Sequence, residues 1–246
     1  MSPATAHPYP RFWIDTPLSP GADVELPEAA VRHVAALRLR EGDAVVLFDG
    51  TGGEHDASLL RIVRGRCTAR ISERRDVERE SPLAITLALG ISAGDRMDYA
   101  LQKATELGVT RILPLSTERS VVRLAPGRAE RRLAHWRGVA VAACEQCGRN
   151  RLPRIEPVTE LDALLAEPRE DLKLMLAPEG AARLATMSRS EAIFVLVGPE
   201  GGLCARERQA ALSAGFVAVQ FGPRTLRTET APVAAIAALQ ALWGDC

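Results

Sequence analysis

Lysine is almost missing from this chain. Lys103 and Lys173 are the only two among 31 basic residues, and arginine supplies the rest. Acidic residues also number 31, so the formal net charge is zero and bulk charge singles out no partner. Cysteine is sparse, odd in number and scattered, at Cys67, Cys144, Cys147, Cys204 and Cys246. That pattern excludes a disulfide framework and fits a reducing cytoplasm. Long apolar runs are lacking as well. The longest, around Val233 to Trp243, is interrupted by Gln240 and is too short to span a bilayer. The opening MSPATAHPYPRFW has no basic region followed by an apolar one, so no secretory leader is expected.

What remains is ordinary for an enzyme-sized chain: 246 residues, 47% hydrophobic and 25% charged, enough for a substantial core. The distribution of charge says more than its sum. From Glu118 to Arg154 nine arginines face three acids, a local excess of six. This stretch reads as an RNA-facing surface, with a solvated helix as the bland alternative. Arginine use alone decides nothing, because genome composition would produce the same bias.

Two regions differ in pattern. The first is β-rich, with a strand at 11–14, a short helix at 27–37, two strands around the Gly50–Gly53 turn and a further strand in RCTARISERR. A polar seam at 72–82 ends in proline, and domains of 1–75 and 76–246 follow from it. Beyond the seam, apolar runs at 83–89, 109–115, 172–176, 192–197 and 216–221 alternate with helical stretches at 95–107, 128–147, 159–166, 204–214 and 229–243. Such alternation predicts an α/β domain with a mainly parallel sheet, whose ligands bind beyond the carboxyl ends of its strands.

Three loops then carry the chemistry. VGPEGGL (197–203) has the glycines of a phosphate loop but neither phosphate fingerprint. Pro199 has no N–H to donate and Glu200 would repel an anion, so a neutral or cationic ligand fits better; a plain strand-to-helix turn is the alternative. GPRTLRTETA (222–231) repeats a Gly-Pro turn after another strand. Thr228 or Thr230 is placed to cap the next helix, with Pro232 in its first turn. Arg227 and Glu229 stand together there, as catalytic groups or as a structural ion pair. The third loop, ACEQCGRNRLP (143–153), holds a Cys-x-x-Cys pair at a helix end. No second pair accompanies it and His135 is the only histidine nearby, so no metal is expected. A redox pair is activated at a helix N-terminus, which this is not.

These loops, together with GDRMDYALQKATELGV (94–109) and HVAALRLREGDAVVLFDGTG (33–52), resemble the small-subunit rRNA uridine-N3 methyltransferases of the SPOUT superfamily, the RsmE family. The match spans almost the whole chain. It implies a PUA-like β-barrel that helps hold RNA, followed by an α/β domain threaded into a deep trefoil knot, a rare exception to unthreaded topology. It also implies a homodimer, 16S rRNA within the small subunit as substrate, and S-adenosylmethionine held on the knot loops. Those loops correspond to Leu176, Ala177 and Pro178; Gly198, Pro199, Glu200, Gly201, Gly202 and Leu203; and Leu226, Arg227, Thr228 and Thr230. Ala93 departs from the basic residue often found before the Gly-Asp pair in the family.

Methyl transfer to a uracil nitrogen needs positioning, removal of the N–H proton and stabilisation of charge on the uracil oxygens. The expected catalytic set is Arg227 for stabilisation, Glu229 or Glu145 for orientation or proton acceptance, and Asn150 with Arg149 for nucleotide contacts. Arg11, Arg38, Arg119, Arg123 and Arg151 complete the expected RNA contacts. Three other readings stay open: a SPOUT enzyme acting on another base or a ribose hydroxyl, a non-catalytic RNA-binding module, and a thiol redox or metal protein built on Cys144 and Cys147.

Overall fold

The computed structural model describes residues 9–120, 126–167, 171–180 and 182–246. Two compact units emerge, the first drawn from Met1–Glu80 with Val141–Leu152 and the second from Ser81–Ala140 with Pro153–Cys246.

The first unit is a five-stranded sheet. In chain order its elements are β1 (Arg11–Trp13), β2 (Asp23–Glu25), α1 (Glu28–Ala36), β3 (Ala44–Phe48), β4 (Glu54–Val63) and β5 (Arg66–Arg75). The spatial order is β1-β3-β4-β5-β2, parallel between β1 and β3 and antiparallel elsewhere. The β4–β5 hairpin closes on Arg64 and Gly65, both at positive φ, as a two-residue turn between right-twisted strands requires. Phe12, Val45, Leu47, Leu59, Cys67 and Ile71 form its core, and α1 contributes Ala30 and Val34, one turn apart on a single face. The three residues of β2, Asp-Val-Glu, gave no strand signal in the sequence; pairing with the edge of β5 makes the strand.

The second unit contains β6 (Ala84–Gly90), α2 (Gly94–Glu106), β7 (Arg111–Ser116), β8 (Arg154–Ile155), β9 (Thr159–Glu160), α4 (Leu161–Ala166), β10 (Leu172–Leu176), β11 (Ala192–Val197), α5 (Ala205–Ser213), β12 (Val217–Val219) and α6 (Thr230–Trp243), plus a 3-10 turn at Leu184–Thr186. Helix α3 (Pro126–Cys147) is divided between the units, its last turns clustering with the first. The sheet order is β12-β10-β11-β6-β7-β8, every pairing is parallel, and β9 adds to β7. The predicted α/β domain with a mainly parallel sheet is therefore present.

Its central strands β6 and β11 are almost wholly apolar, with Thr86 the one polar residue within them, because both faces are covered. Ile85, Leu87, Leu89, Val195 and Val197 point to one face, where Met97, Leu101, Trp136, Ile236 and Leu239 pack. Ala88, Phe194 and Leu196 point to the other, against Leu161, Leu164, Ala211 and Phe216. Gln240, the polar residue inside the apolar C-terminal run, is buried and satisfied: its amide donates to the Leu107 carbonyl at 2.8 Å and pairs with the Ser81 hydroxyl at 2.7 Å. Among the described residues no helix is long and apolar enough to cross a membrane.

Candidate functional site

Three neighbouring strands, β12, β10 and β11, end side by side, and the loops after them enclose a cavity of about 570 Å³. Leu176, Ala177 and Pro178 line it after β10, the whole Gly198–Leu203 turn after β11, and Leu226, Arg227, Thr228 and Glu229 after β12. Thr230 does not line it; it is the first residue of α6.

The glycine turn is held on every side. Thr228 or Thr230 is expected to cap α6, yet Glu229 occupies the cap position, Thr230 is the first helical residue and no side-chain cap forms. The Thr228 hydroxyl instead donates to the Gly198 carbonyl at 3.0 Å, joining two of the three loops. At the end of β6, Gly90 has the turn lying directly on its Cα; a Cβ there would sit 2.5 Å from Pro199. Arg119 donates to the Gly201 carbonyl at 3.0 Å. Helix α5 begins with a capping box in which the Cys204 thiol accepts from the Glu207 N–H at 3.4 Å and the Glu207 carboxylate accepts from the Cys204 N–H at 2.8 Å. The second Glu207 oxygen accepts from the Glu118 N–H, so one buried carboxylate ties the Arg119 loop to the glycine turn. Sequence reasoning missed this device. Its signal was Cys204-x-x-Glu207, capping-box spacing with cysteine in place of serine or threonine.

Two cavity carboxylates, Glu200 and Glu229, each keep one buried oxygen, while Arg227 is exposed. Glu200 accepts from the Ala93 N–H at 2.8 Å and from Arg96 at 3.4 Å through Oε1, while its Oε2 is buried with no partner among the described residues. Glu229 Oε1 lies 4.0 Å from Arg227 Nη1, and its Oε2 is likewise buried and unpartnered. Arg227 is 79% exposed. A buried carboxylate oxygen left without a donor costs free energy, so these two atoms favour a ligand bearing N–H groups or positive charge. The expectation that Glu200 disfavours a phosphate has this physical basis.

The other expected site residues, Arg123 apart, lie in the first unit, and most are committed to each other. Arg11, 7% exposed, donates to Glu54 at 2.5 Å, to the Asn150 side-chain oxygen at 2.6 Å and to the Arg149 carbonyl at 3.2 Å. Glu54 also receives Arg75 at 2.7 Å and Arg79 at 3.0 Å. Burial works against its charge, but the hydrogen bonds from Arg79 and Arg11 prevail and hold its pKa at about 2. The Asn150 amide donates to the Val77 carbonyl at 2.7 Å, and Arg149 grips Glu80 with two nitrogens at 2.9 and 2.5 Å. Arg11, Arg149 and Asn150 were read as RNA contacts from residue type; here they are buried, because a buried carboxylate demands charged partners.

Glu145 accepts from the Trp13 N–H at 3.0 Å and faces His33 at 3.7 Å, with burial raising its pKa against that hydrogen bond. Arg151 is exposed and bonds Glu78, and Arg38 is exposed at a φ of 58°. Arg123 lies outside the described residues. Burial pushes the Cys144 thiol up to about 12, and it bonds the Arg151 carbonyl, while the Gly148 N–H closes the helix on the Cys144 carbonyl. Among the described residues no cluster of three or more His, Cys, Asp or Glu could hold a metal.

Comparison with known proteins adds to this geometry. The RNA methyltransferase domain profile matches residues 79–240 and the RNA methyltransferase PUA domain profile matches 26–72. The ribosomal RNA small subunit methyltransferase E of Bacillus subtilis is 30% identical over 85% of this chain and 86% of its own length. A crystal structure of the Neisseria gonorrhoeae ribosomal RNA small subunit methyltransferase E, bound to S-adenosyl methionine, superposes with a TM-score of 0.89 at 46% identity, covering 96% of this chain and 99% of that one. A Legionella pneumophila protein in complex with its bound cofactor SAM gives a TM-score of 0.94 at 37% identity, covering 97% and 99%. Matched across both units, this chain belongs to the ribosomal RNA small subunit methyltransferase E family.

Proposed function

We propose that this protein transfers a methyl group from S-adenosylmethionine to N3 of a specific uridine in 16S rRNA. The observation that carries the reading is the single cavity formed by the three loops after β10, β11 and β12, with the unpartnered oxygens of Glu200 and Glu229 buried in its wall. Those acidic atoms fit a donor that carries a sulfonium and amino groups and no phosphate. Leu176, Ala177, Pro178, the Gly198–Leu203 turn, Leu226 and Thr228 would hold it. When bound, the donor supplies an electrophilic methyl group.

The chain's own residues do the rest. Arg227 is exposed at the cavity and stabilises negative charge on the uracil oxygens as the N3 proton leaves. Glu229 accepts that proton; its Oε2 has no competing partner among the described residues. Glu145 is engaged by Trp13 and His33, so the acceptor role goes to Glu229 alone. Arg11, Arg149 and Asn150 brace the first unit, leaving Arg119, Arg38, Arg151 and Arg123 as the RNA contacts of this reading. The same reading includes a trefoil-knotted second domain, domains of about 1–75 and 76–246, a homodimer, a cytoplasmic location and the small ribosomal subunit as the form in which rRNA is met. Nucleoside analysis of rRNA from a strain lacking the gene tests it: 3-methyluridine disappears from 16S rRNA, and its persistence overturns the proposal.

A further inference from the structure

Five arginines and three glutamates line the cavity. Two of the arginines are neutralised within it, Arg96 by Glu200 at 3.4 Å and Arg208 by Glu179 at 3.1 Å. Arg119 is spent on the Gly201 carbonyl, which satisfies a donor but leaves its charge uncancelled. Arg227 stands 4.0 Å from Glu229 at the limit of an ion pair. Arg224 has no hydrogen bond or ion pair among the described residues, and its exposed guanidinium folds back over the Gly222 turn, 3.3 Å from where a Cβ on that glycine would be.

Charge in this cavity is therefore layered. The unpartnered carboxylate oxygens are buried, and the uncancelled cations are exposed at the rim. A polyanion is repelled from the interior and attracted to the edge. We propose that Arg224, which lines the cavity together with Arg119 and Arg227, binds a backbone phosphate beside the target nucleotide, so that the base enters while its phosphate stays outside. This inference rests on the proposed function for the identity of the polyanion. Guanidinium suits a phosphate because its planar fork gives two parallel hydrogen bonds. The layering also separates the two ligands: the donor meets the acidic interior and RNA the basic rim.

The same anion chemistry occurs in the carboxylate of the donor's amino-acid tail, and the test distinguishes the two. Arg224→Gln and Arg224→Lys are compared with the unchanged protein for binding to small ribosomal subunits from a strain lacking the gene, across salt from about 50 to 200 mM. Loss of one phosphate contact makes the slope of log affinity against log salt shallower by about 0.7 to 0.9 in the glutamine variant. The lysine variant keeps the slope, since it keeps the charge, and S-adenosylmethionine affinity measured by calorimetry is unchanged in both. An unaltered slope in Arg224→Gln overturns the proposal. So does a loss of donor affinity with the slope retained, which would assign Arg224 to the donor's carboxylate. A protein that binds subunits with the full slope yet transfers no methyl group breaks the proposed function and leaves the phosphate contact standing.

Discussion

The Thr228 hydroxyl donates to the Gly198 carbonyl at 3.0 Å, so a residue before the last helix fixes the start of the glycine turn 30 positions earlier. Both residues line the same cavity. The bond makes two loops one surface, and its removal tests whether that surface is the donor site.

Thr228→Val keeps shape and deletes the hydroxyl. One neutral hydrogen bond is worth about 1 kcal/mol, so donor affinity falls by about fivefold in calorimetry. Thr228→Ser restores most of it. Equal affinities in Thr228→Val and the unchanged protein would separate the latch from donor binding.

Arg227 and Glu229 carry the chemical step in this account. Arg227→Ala loses about 100-fold or more in kcat, the scale of one electrostatic stabiliser, with donor affinity little changed. Glu229→Gln loses about 100-fold or more in kcat. Near-normal turnover by either variant on methyl-deficient subunits removes that residue from the mechanism.

Acid weakens the first unit in a defined order. His55 is buried with neither ring nitrogen partnered among the described residues, and burial lowers its pKa below the ordinary value. Its neutral form is the folded one, so stability is complete above about pH 6.5 and declines as pH falls below it. Glu54, held at about 2 against an ordinary 4.5, adds a second loss as pH falls from about 4.5 towards 2. Circular dichroism followed against pH detects both phases. Glu54→Gln is less stable at neutral pH by about 3 kcal/mol or more, because three arginines lose their buried carboxylate, and its lower phase flattens. An unchanged lower phase would contradict this role for Glu54.

Methyl transfer is expected to need no thiol. Cys144 is fully buried with its pKa near 12, whereas Cys246 is exposed. Alkylation at about pH 8 therefore marks Cys246 and spares Cys144 by peptide mass mapping, since only the accessible thiolate reacts. Methyl transfer survives the treatment. Loss of transfer in step with labelling at Cys144 would revive the redox reading.

Much of the fold was legible because buried parallel strands announce themselves. AIFVLV is wholly apolar and AITLAL has only Thr86 as a polar residue, and both faces of each are covered. Three of the shortest strands were not legible: β2, β8 and β9 owe their form to a neighbouring edge rather than to their own residues. Two of the three cavity loops stand out by glycine, proline and acid at strand ends, whereas residues 176–178 follow from the family resemblance. What those loops do to each other was not legible, since Thr228 has the right position for a cap and spends its hydroxyl on Gly198 instead. Residue type alone does not show where each arginine is committed. Arg11 and Arg149 carry the charge of RNA contacts, but only the fold reveals that Glu54 and Glu80 claim them. Arg224 escaped notice because nothing in GPRTLR separates a rim cation from a turn residue.

The most direct test of the central claim is methyl transfer in vitro. Purified protein, labelled S-adenosylmethionine and small ribosomal subunits from a strain lacking the gene are combined, and the modified nucleoside is mapped by mass spectrometry. The account predicts label at N3 of one uridine in 16S rRNA, reduced about 100-fold by Arg227→Ala. Label on a ribose hydroxyl or another base, or none at all with active protein and saturating donor, contradicts it.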